Sequence, residues 1–286
     1  MADKRITLVT GATGKQGGAV AQELLVKGYR VRAMTRKPDA ENARALAKLG
    51  AEIVRGDFDD AGSLVQAVKG VWGAFSVQNT WEAGVEREEE QGKRFAKIAK
   101  DAGVQHLVYS SVASAHRKTG IPHFENKWRV EETVRSLKFP SYTVLRPVFF
   151  MENFLTPWFK PAIDQGKLTV GIEPTTVLQM IAVEDIGKYG AWAFDNFQKL
   201  NGRAIDFAGD AKTMPETAGI IGKAAGRKIE FVPTPIGEVR KFSEDFAIML
   251  EWFDTVGYNV DVKAVAKESG IQPTTLARWA AKVDWS

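Results

Sequence analysis

Cysteine is absent from the 286 residues, which excludes disulfide staples, cysteine nucleophiles and thiolate metal sites. Histidine is scarce, limited to His106, His116 and His123. With no His-Glu-x-x-His pair among them, a metal centre is not expected. No apolar run reaches transmembrane length, and the chain enters its first strand pattern without a signal-peptide pattern. A cytoplasmic location is therefore the expectation, with no membrane partner. The net charge is only +4, and no arginine-rich stripe interleaved with aromatics occurs, which argues against nucleic-acid binding. What the chain does have is 44% hydrophobic residues. That suffices for one large α/β domain, or for a core domain with a smaller one attached.

The chain is organised around residues 5–18, Arg-Ile-Thr-Leu-Val-Thr-Gly-Ala-Thr-Gly-Lys-Gln-Gly-Gly. Ile6 to Val9 reads as a buried strand, and Gly11, Gly14 and Gly17 stand at the start of a helix. Strand, glycine-rich turn and helix, in that order, present a pyrophosphate site in a Rossmann fold. Gly11 permits the tight turn, Gly14 lets the backbone approach the phosphates, and Gly17 lets the helix pack on the strand. The first helical turn offers N–H groups and a partial positive charge. The spacing is Gly-x-x-Gly-x-x-Gly rather than Gly-x-Gly-x-x-Gly, so an ordinary glycine turn is the competing reading. Its place directly after a clean strand favours the dinucleotide site.

Residues 29–35 alternate as a second strand, followed by Arg36-Lys37-Pro38. NAD-preferring folds carry an acid about 20 residues past the glycines, on the ribose 2′-hydroxyl. Two cations there suit a 2′-phosphate instead, which points to NADP; the alternative is a solvated basic turn. A helix over 40–50 leads to a third strand at 51–54, which ends in Gly56-Asp57-Phe58-Asp59-Asp60. Asp57 and Phe58 would lie beside an adenine, and Asp60 could cap the next helix. Val71 to Val77 forms a fourth strand leading to Gln78-Asn79-Thr80-Trp81, at the sheet edge where ligands collect. The acidic run Glu86 to Glu90 opens a long helix. Its i,i+4 pairs Glu89–Lys93 and Glu90–Arg94 point to a plain solvated face.

A fifth strand at 106–111, a helix over about 125–137 and a sixth strand at 142–146 continue the alternation. This pattern predicts a doubly wound parallel sheet with helices on both faces. Past Pro147 the periodicity loosens. Phe149, Phe150, Met151, Phe154, Trp158 and Phe159 form an aromatic stretch, either core packing or, with Trp81, the wall of an apolar pocket. Strands at 177–183, 204–208 and 229–232, each followed by helical sequence, complete the chain. The expected division is a dinucleotide-binding Rossmann domain over 1–148 and a smaller, partly discontinuous C-terminal substrate or partner region over 149–286. Within the latter, segments at about 177–208 return to the Rossmann core.

His123-Phe124-Glu125-Asn126-Lys127 has the spacing His-x-x-x-Lys. On a helix, i and i+4 share a face, so both side chains could point into one cleft. A lysine there can hold nicotinamide-ribose hydroxyls, and His123, or a water it orders, can donate a proton. The bland alternative is an exposed helix start with ordinary polar residues.

These residues carry a family resemblance. Gly-Ala-Thr-Gly-Lys-Gln-Gly-Gly (11–18), Thr-Arg-Lys-Pro (35–38), Gly-Asp-Phe-Asp-Asp (56–60) and Asn-Thr-Trp-Glu (79–82) are joined by His-Phe-Glu-Asn-Lys (123–127), Arg-Pro-Val-Phe-Phe-Met-Glu-Asn (146–153) and Val-Glu-Asp-Ile-Gly (183–187). Together they resemble the NmrA-like, HSCARG-like group of atypical short-chain dehydrogenases/reductases over nearly the whole chain. The resemblance implies an NADP(H) site built from Gly11, Ala12, Thr13, Gly14, Lys15, Gln16, Arg36, Lys37, Asp57 and Phe58. Gln78, Asn79, Thr80, Lys127 and the segment Phe150, Met151, Glu152, Asn153 complete it. Short-chain dehydrogenases use Tyr-x-x-x-Lys, and His123 stands where that tyrosine would be. Related benzylic ether and isoflavone reductases also lack the tyrosine and rely on the lysine.

Two functions follow as expectations. The first is an NADPH-dependent reductase of a small apolar or aromatic carbonyl, enone or benzylic substrate. Lys127 and His123 are its catalytic pair, and Trp81, Phe149, Phe154 and Trp158 line its substrate pocket. The second is a non-catalytic NADP(H) redox sensor regulating a protein partner, as monomer or homodimer.

Overall fold

The computed structural model describes residues 5–285. Its first unit comprises the chain up to His116, His123–Arg146 and Ile186–Ile205; the second comprises Arg117–Pro122, Pro147–Asp185 and the chain from Asp206.

In the first unit, strands and helices alternate as β1 (Ile6–Val9), α1 (Lys15–Val26), β2 (Arg30–Thr35), α2 (Glu41–Lys48), β3 (Glu52–Arg55), α3 (Ala61–Val68), β4 (Gly73–Ser76), α4 (Thr80–Ala83), α5 (Val85–Asp101), β5 (His106–Ser110), α6 (Pro122–Ser136) and β6 (Ser141–Pro147). β7 (Phe149–Phe150), α7 (Lys160–Asp164), β8 (Lys167–Val170), β9 (Val177–Ile181), α8 (Val183–Asp195) and β10 (Arg203–Phe207) follow in the chain. Seven strands form one sheet in the order β3-β2-β1-β4-β5-β6-β10. The pairs from β3 through β6 all run parallel, so this sheet is the doubly wound α/β arrangement that the alternation predicts. The order reverses between β1 and β4, and ligands of such sheets bind at the carboxyl ends beside that reversal.

The central strands read as near-continuous apolar runs because helices cover both faces. All residues of β4 and β5 are buried. One core cluster joins Leu8, Leu64, Phe95, Leu107, Tyr109, Val130 and Val144. α5 contributes a buried stripe of Glu88, Gln91, Gly92, Phe95, Ala96 and Ala99, the spacing of one helical face. Asp60 caps α3, its carboxylate accepting from the Ser63 N–H at 3.1 Å, as its position before the helix predicts.

The second unit has its own sheets. β7 pairs parallel with β9, and β9 pairs antiparallel with β11 (Asp210–Thr213). After α9 (Met214–Ala225), β12 (Glu230–Pro233) pairs parallel with β8. β7, β8 and β11 go beyond the strands that periodicity predicts. Asp-Ala-Lys-Thr (β11) has no apolar alternation to announce it. Four helices close the chain: α10 (Ile236–Phe242), α11 (Glu244–Thr255), α12 (Val262–Ser269) and α13 (Leu276–Ala280). Among the described residues no helix is long and apolar enough to cross a membrane.

Candidate active site

The turn after β1 has the geometry its glycines predict. Gly11 adopts φ +57°, a left-handed conformation that glycine enters without steric cost. At Gly17 a Cβ would stand 2.3 Å from the Gly11 carbonyl oxygen and 2.5 Å from that of Thr10, so only glycine lets α1 lie this close to the turn. Gly14 is the N-cap of α1; it brings no side chain to the N–H groups, and the first turn carries no acid. The helix start therefore presents backbone donors and its positive dipole end without a built-in anion. Ala12 is buried in the turn. Thr13 meets the Thr35 hydroxyl at 3.3 Å, and its carbonyl accepts from Asn42 at 3.1 Å. Gln16 accepts from the Ser110 hydroxyl at 2.7 Å, tying the first turn of α1 to the end of β5. Lys15 occupies the first helical position.

At the end of β2, Arg36 forms an ion pair with Glu82; both side chains are more than half exposed, at 56% and 53%. The hydrogen bond from Arg36 to Glu82 and the Glu82 charge hold the guanidinium above its ordinary range against the opposing effect of burial. Arg36, Lys37 and Arg55 line an open cavity of about 530 Å³ together with Pro38, Asp39 and Ala40. Arg55 is a residue that the sequence reading does not single out. At the end of β3, the Asp57 N–H donates to Ser63 Oγ at 2.9 Å. Phe58 packs its ring edge-on to Phe95, centroids 5.9 Å apart, so it is anchored on the core.

The acidic run 86–90 is not a plain solvated face, and this corrects the expectation. Glu89 does pair with Lys93, but Arg94 donates instead to the Phe58 carbonyl at 2.7 Å. Glu88 is 2% exposed and accepts from Lys127, from the Thr80 hydroxyl and from Asn126 Nδ2. Burial pushes the Glu88 carboxyl up. The Lys127 charge and the hydrogen bonds from Lys127, Thr80 and Asn126 outweigh that and hold it below the ordinary carboxylate value. Glu88 is at the head of the buried stripe of α5, and its spacing of three, four and seven residues from Gln91, Gly92 and Phe95 was the available signal.

α6 places His123 and Lys127 one turn apart, as the i,i+4 spacing predicts. Lys127 meets Glu88, and its side chain is 13% exposed. His123 is 7% exposed, with its ring 5.2 Å from that of Trp81 and 4.9 Å from that of Phe124. Tyr109 lies in the core, where burial pushes its phenol up. Behind the site, buried Glu131 accepts from Arg146 at 2.6 and 2.9 Å and braces the end of β6 against α6.

The one-turn helix α4 reaches three of these groups with consecutive side chains. Thr80 meets Glu88, Trp81 meets His123 and Glu82 meets Arg36. Asn79 caps this turn, accepting from the Trp81 N–H at 3.2 Å. Next to it Gln78 is buried; its amide donates to Ser76 at 3.0 Å, while its Oε1 is unpartnered. The buried Ser111 hydroxyl, beyond β5, is likewise unpartnered.

In the second unit, Phe149, Phe154 and Phe159 pack on one another with centroids 5.6 to 6.3 Å apart, and Met151 is fully buried. Of the two weighed roles for this stretch, Phe149 and Phe154 take part in core packing. Trp158 is 78% exposed. Glu152 accepts from the Val183 N–H and from Trp279 Nε1, each at 3.0 Å, so its carboxylate is an internal tie. Phe150 is half-buried, and the Asn153 carbonyl accepts from Thr156 at 2.7 Å.

Comparison with known proteins agrees with this architecture. An oxidoreductase of Cladobotryum sp, FrzB, described as containing an NmrA-like family domain, is 31% identical over 254 residues, covering 80% of this chain and 76% of that protein. The triphenylmethane reductase of Citrobacter sp., solved in complex with NADP(H), superposes with a TM-score of 0.79 at 21% identity, covering 97% of this chain and 99% of the other. NmrA, a negative transcriptional regulator solved with NADP, gives a TM-score of 0.80 at 20% identity, covering 98% and 96%. At such identities these two structures speak to the fold. The sequence model of the NmrA-like family matches residues 2–280, and the chain belongs to that family.

Proposed function

We propose that the chain is an NAD(P)-dependent oxidoreductase that prefers the phosphorylated cofactor and reduces a small apolar or aromatic carbonyl, enone or benzylic substrate. The observation that carries the cofactor reading is the cradle at the head of α1. Gly11 is turned into the left-handed region, Gly17 has no room for a Cβ, and the helix start has neither a side-chain cap nor an acid. Such a cradle fits a pyrophosphate. The buried Gln78 Oε1 and Ser111 Oγ, unpartnered at the ends of β4 and β5, fit hydroxyl donors of a bound ribose. The relatives named as oxidoreductases support hydride transfer.

In this reading Gly11 to Gln16 hold the pyrophosphate, Arg36 and Lys37 the 2′-phosphate, and Asp57 and Phe58 flank the adenine. Gln78, Asn79, Thr80 and Lys127 hold the nicotinamide ribose. The bound nicotinamide supplies the hydride. The protein positions and protonates. Glu88 fixes the Lys127 ammonium, which orients ribose hydroxyls, and His123 donates the proton. Trp81, 64% exposed beside His123, offers an aromatic surface for the substrate. Calorimetric titration with NADPH, NADP⁺, NADH and NAD⁺ tests this. A preference for the phosphorylated pair, lost in Arg36→Ala, is the expected result. Absence of binding by all four would overturn the reading.

A second reading, a non-catalytic NADP(H) sensor acting on a protein partner, draws on one observation. His123 is nearly covered, with Trp81 against its ring, which is unfavourable for a group that must reach a substrate. A sensor must bind its two ligand states with different affinity or in different conformations. Identical small-angle scattering from apo, NADP⁺ and NADPH samples, with equal affinities for the two cofactors, would eliminate it.

A further inference from the structure

The residues that would read a 2′-phosphate are usually sought at the end of the second strand. In this chain the sheet brings a third cation there. β2 and β3 run parallel with Thr35 opposite Arg55, and the Gly56 N–H donates to the Thr35 carbonyl at 3.0 Å. The end of β3 is thereby held beside the turn that carries Arg36 and Lys37. All three cations line the same cavity, whose one acidic wall residue is Asp39. Their partners differ. Arg36 is occupied by Glu82. Among the described residues, neither the Lys37 ammonium nor the Arg55 guanidinium has an acidic partner.

Two cations without counter-charges and a third held by an exposed carboxylate suit a dianionic phosphomonoester. A guanidinium fork matches two phosphate oxygens at once. Glu82 is the opposing element, because a phosphate reaching Arg36 must displace it. We propose that Arg55 is a specificity-determining residue that binds the adenosine 2′-phosphate, with Glu82 as the internal competitor that sets how strongly the phosphorylated cofactor is preferred. This inference rests on the dinucleotide reading above and adds to it a residue from a different strand.

The test uses the full chain and a fragment that isolates the contact: calorimetric titration with adenosine 2′,5′-bisphosphate, with adenosine 5′-monophosphate and NADH as controls. In Arg55→Gln, affinity for the bisphosphate and for NADPH falls about tenfold, the scale of one charge-assisted hydrogen-bonding partner. Affinity for the monophosphate and NADH is unchanged, which also reports an intact fold. Glu82→Gln moves the other way, tightening the bisphosphate about threefold, the scale of an exposed ion pair. If Arg55→Gln binds the bisphosphate as tightly as the wild type while Arg36→Ala does not, Arg55 has no role and the NADP reading stands. If the wild type binds the bisphosphate no better than the monophosphate, the 2′-phosphate preference itself fails, and the proposal with it.

Discussion

Two glutamate–cation pairs arise from the same short stretch of chain and live in opposite environments. Glu82 meets Arg36 at the surface, both side chains more than half exposed. Six residues later Glu88 meets Lys127 with 2% and 13% exposure. The surface pair is well hydrated and contributes about 0–1 kcal/mol. The buried pair has given up its water; Lys127 relies on Glu88, and Glu88 on Lys127, Thr80 and Asn126. The first is built to exchange partners, the second to hold one geometry. Of the two pairs, one is at the surface and the other is interred.

Breaking the buried pair has the largest effect. Glu88→Gln leaves the Lys127 charge without its anion and costs about 3–5 kcal/mol of stability, measured by urea unfolding. Glu88→Gln combined with Lys127→Met removes both charges and recovers much of that loss. A double variant as unstable as the sum of the two singles would show that the pair is not coupled.

Acid separates the pairs next. The Glu88 carboxyl is held below its ordinary value in the folded chain. Its contribution is complete above the unfolded pKa of about 4.3 and is lost as pH falls through the lower folded value. The stability gap between wild type and Glu88→Gln therefore narrows below about pH 4.3, and a gap constant down to pH 3 would contradict the charge-based account. Both proteins share a second acid transition. Burial pushes the His106 imidazole down from 6.5 to about 4. The unfolded chain takes up that proton first, so stability present above pH 6.5 is lost as pH falls towards 4. The loss is about 3 kcal/mol, read from melting curves across that range.

The smallest effect on stability belongs to the surface pair. Arg36→Ala changes unfolding free energy by less than about 1 kcal/mol, yet weakens NADPH binding about tenfold or more. A large loss of stability in this variant would show that the pair is structural and erase the contrast.

How far the sequence speaks follows from whether the cause is local. The β1–glycine–α1 unit is legible because Gly11 and Gly17 are required by contacts within a few residues. Asp60 as a cap is equally local. Glu88 hides because an acid in an acidic run looks solvated; the stripe it heads is readable only when helical spacing is weighed above residue type. Arg55 hides because its neighbours in space, Arg36 and Lys37, are brought to it by β-sheet register. Glu152 sits in a phrase associated with ligand binding, but its carboxylate is spent on Val183 and Trp279, the latter 127 positions along the chain.

The one-turn helix α4 bears on how this site can vary. Successive helical side chains are turned by about 100°, so Thr80, Trp81 and Glu82 serve three different directions from a single turn. None of the three can drift without surrendering its own contact, but each can be exchanged singly. A change of length is different. One residue inserted or deleted between Asn79 and Glu82 rotates the side chains beyond it away from their partners, the indole from the imidazole and the carboxylate from Arg36. The turn acts as a phase-setting segment. Here variation in residue type is graded in its effect, and variation in length is all-or-none.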